Sequence, residues 1–134
     1  MSTETKKISR VFKDFDLGFT KNSITSDLSK KTDVAAVKQS IRILLMTNFY
    51  ERPFAYNKAA NLRSFLFEQT DNLTAEAIRK NIQQVIESYE PRVIIQELNV
   101  TVGSDENSYD VYLQFKVVGF PLPQTLTANL TRLR

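Results

Sequence analysis

The hydrophobic pattern of this chain changes its period at one proline, and no other feature of the sequence restricts the fold as much. Before Pro91, apolar residues recur at spacings of four, three and four, as on one face of a helix. After Pro91, apolar and polar residues alternate, as they do along a half-buried strand. Proline cannot continue a helix. The sequence therefore predicts a helix bearing Ile78, Ile82, Val85 and Tyr89 that ends at a corner, Glu90-Pro91-Arg92, and leads into a strand.

Two later segments also alternate, so three short strands are expected after this helix. The stretches "GSDENS" and "GFPLP" separate them and are typical of turns and sheet breaks. Three strands with short connections and one apolar face each favour an antiparallel meander. The predicted apolar faces are Ile94, Leu98, Val100 and Val102, with Gln96 interrupting; Tyr109, Val111, Leu113, Phe115 and Val117; and Leu126, Ala128 and Leu130.

Helical patterns also precede the long helix. Asp33 is predicted to cap a helix that ends near Thr47, and Thr74 is predicted to cap the long helix, with Glu76 in its first turn. The first helix carries one apolar face, and a shorter helix follows it. Their apolar positions are Val34, Val37, Ile41, Leu44 and Leu45, then Leu62, Phe65 and Leu66. The predicted fold class is α+β, with the three-stranded antiparallel meander packed on two main helices and an extended N-terminal arm.

The N-terminal segment, residues 1–31, is polar and shows no sustained period, so we expect an extended arm followed by one α+β domain over residues 32–134. The arm holds three phenylalanines within eight residues, which is unusual for a disordered tail. Phe12, Phe15 and Phe19 are therefore predicted to dock on another surface, and a mobile terminus is the alternative.

Composition excludes several kinds of chemistry. The 134 residues include no cysteine and no histidine, which removes thiolate metal sites, disulfides and a Ser-His-Asp triad. The sequence has no phosphate-binding loop and no dinucleotide-binding motif, so no cofactor is predicted. A hydrolase with paired carboxylates stays open, although solvated surface acids are the simpler interpretation. The candidate acids are Glu51, Glu68, Glu87, Glu90 and Glu97.

Charge and hydropathy argue against nucleic-acid and membrane partners. The formal net charge is +3, and the whole excess lies in the first 40 residues, so the rest is balanced and lacks the footprint of a phosphate binder. The run "IRILLM" is too short to span a bilayer. The first residues, "MSTETKKISRVF", do not resemble a signal peptide, and synthesis in a cytoplasm is the default expectation.

The last predicted strand has an edge suited to partner binding. It carries no charge, and it lacks the central lysine or proline that protects many edge strands. Addition of a partner's strand and coverage of the edge within the domain are both open. The residues concerned are Thr125, Leu126, Thr127, Ala128, Asn129, Leu130 and Thr131.

The corner after the long helix holds opposite charges on either side of Pro91. Glu90 is unfavourable beside the negative C-terminus of a helix, so a cation is expected nearby. Arg92 suits bidentate pairing with a carboxylate or with an interface partner. The residues alone do not decide between an internal salt bridge and a partner contact.

Several stretches together resemble the baseplate wedge, or sheath-initiator, family of contractile phage tails. They are "DVAAVKQSIRILLM", "ERPF", "NLRSFLFEQ" and "LTAEAIRKNIQQVIESYEPR", followed by the strands, in the family's order over roughly residues 33–120. One departure is the connector "AYNKAAN", where the family often has a proline and a glycine. A different loop geometry is expected there.

The resemblance implies a structural protein of the virion tail baseplate, assembled in the host cytoplasm. It implies that Glu90, Pro91 and Arg92 contact the core-bundle proteins of the wedge. It also implies that the third strand receives a strand from the tail sheath subunit, and that the arm docks on tube, tube-initiator or wedge proteins. Because the family has been described as lysozyme-like, a peptidoglycan hydrolase is the alternative function. A small soluble adaptor outside tails is the third hypothesis.

Overall fold

The structure, a computed structural model, describes residues 12–105 and 107–131. Over these residues the chain forms an α+β fold, and its antiparallel sheet has the order β3-β4-β5, which confirms the predicted meander and fold class. The strands are β1 (Lys13–Phe15), β2 (Lys30–Thr32), β3 (Val93–Val102), β4 (Ser108–Val117) and β5 (Gln124–Thr131). The helices are α1 (Asp33–Met46), α2 (Leu62–Phe65) and α3 (Asn72–Tyr89).

The first long strand contains a bulge that changes which side chains face the core. The β3–β4 register shifts between Ile95 and Glu97, so Gln96 is the extra residue. Val93 is therefore buried and Ile94 is 58% exposed, and the prediction that Ile94 faces the core is wrong. Val102, at the end of β3, is also exposed, contrary to prediction. The predicted face of β4 is confirmed, because Tyr109, Val111, Leu113, Phe115 and Val117 are all buried.

The long helix packs on β3 and supplies the centre of the core. Ile78 and Ile82 are fully buried, as predicted, and so is Ile86, which the four-residue pattern did not include. The helix begins earlier than predicted because Asp71 is its N-cap and accepts a hydrogen bond from the Thr74 N–H at 2.7 Å. The prediction that Thr74 is the cap is therefore wrong.

The first helix packs against α3 through the apolar face predicted for it. Val37, Ile41, Leu44 and Leu45 are buried there, and Val34 is partly buried. The prediction that Asp33 caps this helix is wrong, because the N-cap is Thr32 and makes no side-chain capping bond. The Asp33 carboxylate instead accepts a hydrogen bond from the Phe12 N–H at 3.3 Å. It therefore joins the helix start to the preceding segment.

The described part of the arm turns back on itself. Strands β1 and β2 pair in antiparallel fashion with Lys13 opposite Thr32, and the predicted division after residue 31 falls within β2. The Asp16 carboxylate lies 3.0 Å from the Lys31 ammonium. The Gln39 amide donates to the Phe15 carbonyl at 2.6 Å, which holds this hairpin against α1. Residues 1–11 lie outside the described residues.

Candidate functional site

The predicted corner is a tight turn built by the end of α3. The Glu90 N–H donates to the Ile86 carbonyl at 2.8 Å as the last hydrogen bond of the helix. The Val93 N–H then donates to the Glu90 carbonyl at 3.2 Å, so Pro91 and Arg92 form the turn between them. This backbone path brings the two charged side chains of the corner together.

The corner carboxylate is buried and has three hydrogen-bond donors. Glu90 is 3% exposed. The Arg92 guanidinium donates to both carboxylate oxygens, from Nε at 2.5 Å and from Nη2 at 2.7 Å, and the Ser40 hydroxyl on α1 donates at 2.6 Å. Burial alone raises the pKa of Glu90, but the bonds from Arg92 and Ser40 outweigh it, and the pKa lies below its usual value. Glu90 therefore carries a negative charge inside the fold.

The corner also holds the arm. The Arg92 guanidinium carbon lies 5.2 Å from the centre of the Phe12 ring, within the range of a cation–π contact. The hydrogen bonds from Arg92 to Glu90 raise the pKa of Arg92. Of the two alternatives that the residues left open, the structure shows the internal salt bridge.

Sequence reasoning missed Ser40 and did not place Phe12 in this cluster. Ser40 lies on the buried face of α1 between Val37 and Ile41, so a polar residue among buried positions was the available signal. The contact between Phe12 and Arg92 had no signal, since it joins residues far apart in the chain. The structure brings Phe12 to the corner and leaves Phe15 and Phe19 exposed on the hairpin.

A cationic cleft of 260 Å³ opens beside the corner. Three cations, Arg52, Lys58 and Arg92, and one carboxylate, Glu90, line it. The Tyr89 ring also lines it, and the Lys58 ammonium lies 5.8 Å from the centre of that ring. Pro91 is exposed at its rim, and the Arg92 side chain is one-third exposed. The cleft is suited to a partner surface with negative charge.

The predicted strand-addition edge is open within residues 12–105 and 107–131. The Gly103 N–H donates to the Ser108 carbonyl and the Val118 N–H to the Arg92 carbonyl, both at 2.9 Å. The backbone N–H and C=O groups of the even-numbered residues of β4 thus point toward β3, and those of the odd-numbered residues point toward β5. By the register, the even-numbered residues of β5 pair with β4. The outward N–H and C=O groups then belong to Thr125, Thr127, Asn129 and Thr131.

A groove separates this edge from α1. One cavity of 720 Å³ lies between Thr125–Thr127, α1 and the β1–β2 hairpin, and a second of 320 Å³ lies between Asn129–Thr131, the end of α1 and the α2 region. Met46 lines both cavities. The first residues of β5 lie beside the length of α1 and its last residues lie beside the end of α1, so α1 and β5 run in the same direction. The groove, named here the α1–β5 groove, follows almost the whole free edge.

Two of the candidate catalytic carboxylates have a shifted pKa, and both shifts are downward. A hydrogen bond from the Asn48 N–H lowers the pKa of Glu51, and the pKa of Glu90 is also lowered. A glycosidase needs an acid whose pKa is raised. Glu68, Glu87 and Glu97 are exposed. Among the residues that the structure describes, no group of three potential metal-ligating side chains occurs, and no helix has the length and hydropathy to cross a membrane.

Comparison with known proteins decides the family. The sequence model of the family described as Baseplate wedge protein gp25 matches residues 31–120 of this chain. The chain belongs to this family. A curated relative, baseplate wedge protein gp25 of Enterobacteria phage T4, is 28% identical over 114 residues, which cover 85% of this chain and 86% of the relative.

Three solved structures have a similar fold. A chain in the baseplate of the anti-feeding prophage matches with a TM-score of 0.65 and 19% identity, covering 89% of this chain and 84% of its own length. A chain in the post-contraction baseplate of pyocin R2 matches with a TM-score of 0.59 and 16% identity, covering 73% of this chain and 96% of its own length. A candidate tail lysozyme from Geobacter sulfurreducens matches with a TM-score of 0.66 and 17% identity, covering 73% of this chain and 89% of its own length. At these identities the likeness is one of fold.

Proposed function

We propose that this protein is a structural subunit of a contractile-tail baseplate wedge that starts sheath assembly by accepting a strand from the sheath subunit. The observation that carries the proposal is the open outer edge of β5 beside the α1–β5 groove. Its outward backbone groups are a template for one more strand. The groove provides space for that strand's side chains. Family membership supports a place in the virion tail baseplate, and assembly in the host cytoplasm is part of the proposal.

The Glu90-Pro91-Arg92 corner is the proposed contact with the core-bundle proteins of the wedge. Pro91 and the exposed third of Arg92 form the contacting surface beside the cationic cleft. Glu90 is too buried to contact a partner, so it acts as a positioning residue that fixes the Arg92 guanidinium plane.

The arm is proposed to dock on tube, tube-initiator or wedge proteins through Phe15 and Phe19. These rings are 59% and 72% exposed. Phe12 has a structural role instead, because its contact with Arg92 fixes the base of the hairpin beside the corner. Weak contacts of this kind add up in a ring of linked subunits.

Blocking the β5 edge tests the function. Thr127→Pro removes an outward N–H and leaves the ladder to β4 intact, whereas Thr127→Val keeps the N–H and the side-chain shape. Each variant is mixed with wedge proteins and the sheath subunit, and the pellet is analysed after centrifugation. We expect both variants to join the wedge and only Thr127→Val to recruit sheath. Normal sheath recruitment by Thr127→Pro would contradict strand addition.

The hydrolase alternative is tested separately. The carboxylates with lowered pKa do not favour it, although one structural relative carries the name of a lysozyme. Purified protein is added to a suspension of peptidoglycan, and turbidity is followed over time. We expect a flat trace. A fall in turbidity that is lost in Glu51→Gln would establish an enzymatic activity instead.

A further inference from the structure

The α1–β5 groove carries a charge that constrains what can occupy it. Its larger cavity is lined by Lys31, Lys38 and Arg42, and by one carboxylate, Asp16. Asp16 is already paired with Lys31. Lys38 and Arg42 have no ion-pair partner in the part of the chain that the structure describes. Two free cations therefore form the wall that faces an added strand.

The spacing of these cations fits alternate residues of a strand. Lys38 and Arg42 are four residues apart on a helix, which separates them by about 6 Å along the axis. Alternate residues of a strand point to the same face and are about 6.6 Å apart. Because α1 and β5 run in the same direction, a strand added to β5 also runs along α1. Two acids at alternate positions would reach both cations.

One turn further along α1 the lining of the groove becomes mainly apolar, with Arg63 as the one charged residue that lines the smaller cavity. Met46 lies four residues beyond Arg42, is 74% exposed and lines both cavities. Ile43 and Leu126 also line the larger cavity. The next inward residue of an added strand would contact these side chains, and a small apolar residue suits that position.

We propose that the α1–β5 groove selects a partner strand with two acidic residues and one apolar residue at successive inward positions. The acids pair with Lys38 and Arg42, and the apolar residue contacts Met46. This inference rests on the proposed function and names the chemistry of its partner. It also disfavours residues 1–11 as the occupant, since their charged residues are Lys6, Lys7 and Arg10 against one acid, Glu4.

Two synthetic peptides probe the groove without the sheath subunit. The first is a short peptide with capped termini that has threonine at every second position. Its other positions, which would point into the groove, are valine, glutamate, glutamate and valine in order. Because this order is symmetric, the peptide fits the groove in either direction. The second has lysine at both glutamate positions. Binding is measured by fluorescence anisotropy on the full chain, and analytical ultracentrifugation of the protein alone detects self-association through the same edge.

The protein variants reverse the charge of the groove. Lys38→Glu with Arg42→Glu is compared with Lys21→Glu with Lys80→Glu, which changes the same number of exposed charges outside the groove. We expect the groove variant to bind the glutamate peptide about tenfold more weakly, because two exposed attractions become repulsions. It should also gain binding to the lysine peptide, and both differences should shrink in high salt. Circular dichroism confirms that each variant is folded.

The outcomes separate this inference from the proposed function. If both peptides bind the wild type equally, or if the control variant loses as much affinity as the groove variant, charge selection is contradicted. Self-association that excludes the glutamate peptide would also contradict it, because a second copy would then occupy the edge. In either case sheath recruitment blocked by Thr127→Pro would still support strand addition. Sheath recruitment that survives Thr127→Pro would instead contradict the proposed function itself.

Discussion

At the scale of single residues, the corner depends on a salt bridge whose two partners, Glu90 and Arg92, differ in burial. Glu90 is almost completely buried, whereas one-third of the Arg92 side chain reaches solvent. A buried carboxylate stays charged without a large energetic cost only while it is paired. A partly exposed guanidinium can instead reorient toward solvent. The two partners therefore contribute differently to stability, even though they form the same salt bridge.

This asymmetry predicts the order of two alanine variants. Arg92→Ala leaves the Glu90 charge buried with Ser40 as its remaining side-chain donor, so it should destabilise the fold by about 3 kcal/mol. Glu90→Ala leaves a cation that can reach solvent, so it should cost about 1 kcal/mol. Urea unfolding of both variants measures the difference. A larger loss for Glu90→Ala would contradict the burial argument, and Arg92→Lys should fall between Arg92→Ala and the wild type.

The lowered pKa of Glu90 predicts a dependence of stability on pH. Its ordinary value is 4.5 and the folded value is lower, so the stabilisation is present above pH 4.5 and is lost as the pH falls through the folded pKa. Glu90→Gln should therefore lose less stability than the wild type as the pH falls from about 5 through the folded pKa of Glu90. Urea unfolding at each pH measures this slope. Glu68→Gln, at an exposed position, serves as the control and should follow the wild type.

The corner was predictable from the sequence only in part. The proline and the change of period located the turn, and the family resemblance assigned it a role. The residues could not show that Glu90 is buried, because burial depends on Ser40 and on how α1 crosses the end of α3. Such contacts join distant segments and leave no local pattern.

At the scale of elements, α3 begins at a side-chain cap. The Asp71 carboxylate accepts the Thr74 N–H, and this bond is the largest cause of the lowered pKa of Asp71. Asp71→Ala leaves that N–H unpaired and should lower the Tm by about 3–6 °C. Thermal unfolding followed by circular dichroism measures the change. Asn72→Ala, at the exposed next position, should change Tm little, and an equal loss there would contradict the cap.

The alternation of β5 predicts that proline at adjacent positions destabilises the protein by different amounts. Ala128 lies opposite Val111 and bonds to β4, whereas the N–H of Thr127 points outward. Ala128→Pro should therefore destabilise the protein by about 3 kcal/mol, and Thr127→Pro should destabilise it by less than half as much. Urea unfolding of the two variants compares them. The reverse order would mean that the other set of residues faces the free edge.

Strand patterns predicted the sheet well where the ladder is regular. In β4 each predicted inward residue is buried. In β3 the alternation is broken at Gln96, and Ile94 points to solvent because a bulge places two residues opposite one. The interruption by Gln96 was visible in the sequence. Its consequence was not, because a bulge is defined by the partner strand's register.

At the scale of the whole molecule, the candidate interfaces lie on different elements of one small fold. The corner joins the end of α3 to β3, the free edge is β5, and the hairpin of β1 and β2 packs on α1 between them. Phe12 ties the hairpin to the corner. The proposed contacts with wedge, tube and sheath proteins therefore use separate surfaces of the molecule.

Site-specific cross-linking from β5 tests whether this strand receives the sheath strand. The sequence has no cysteine, so Asn129→Cys places a single attachment site for a photoreactive group on the exposed edge. Lys80→Cys, on the exposed side of α3, is the matched control. After assembly with wedge and sheath proteins and illumination, we expect a cross-link to the sheath subunit from position 129 and none from position 80. Sheath that assembles normally without any cross-link from position 129 would contradict the proposal that β5 receives the sheath strand.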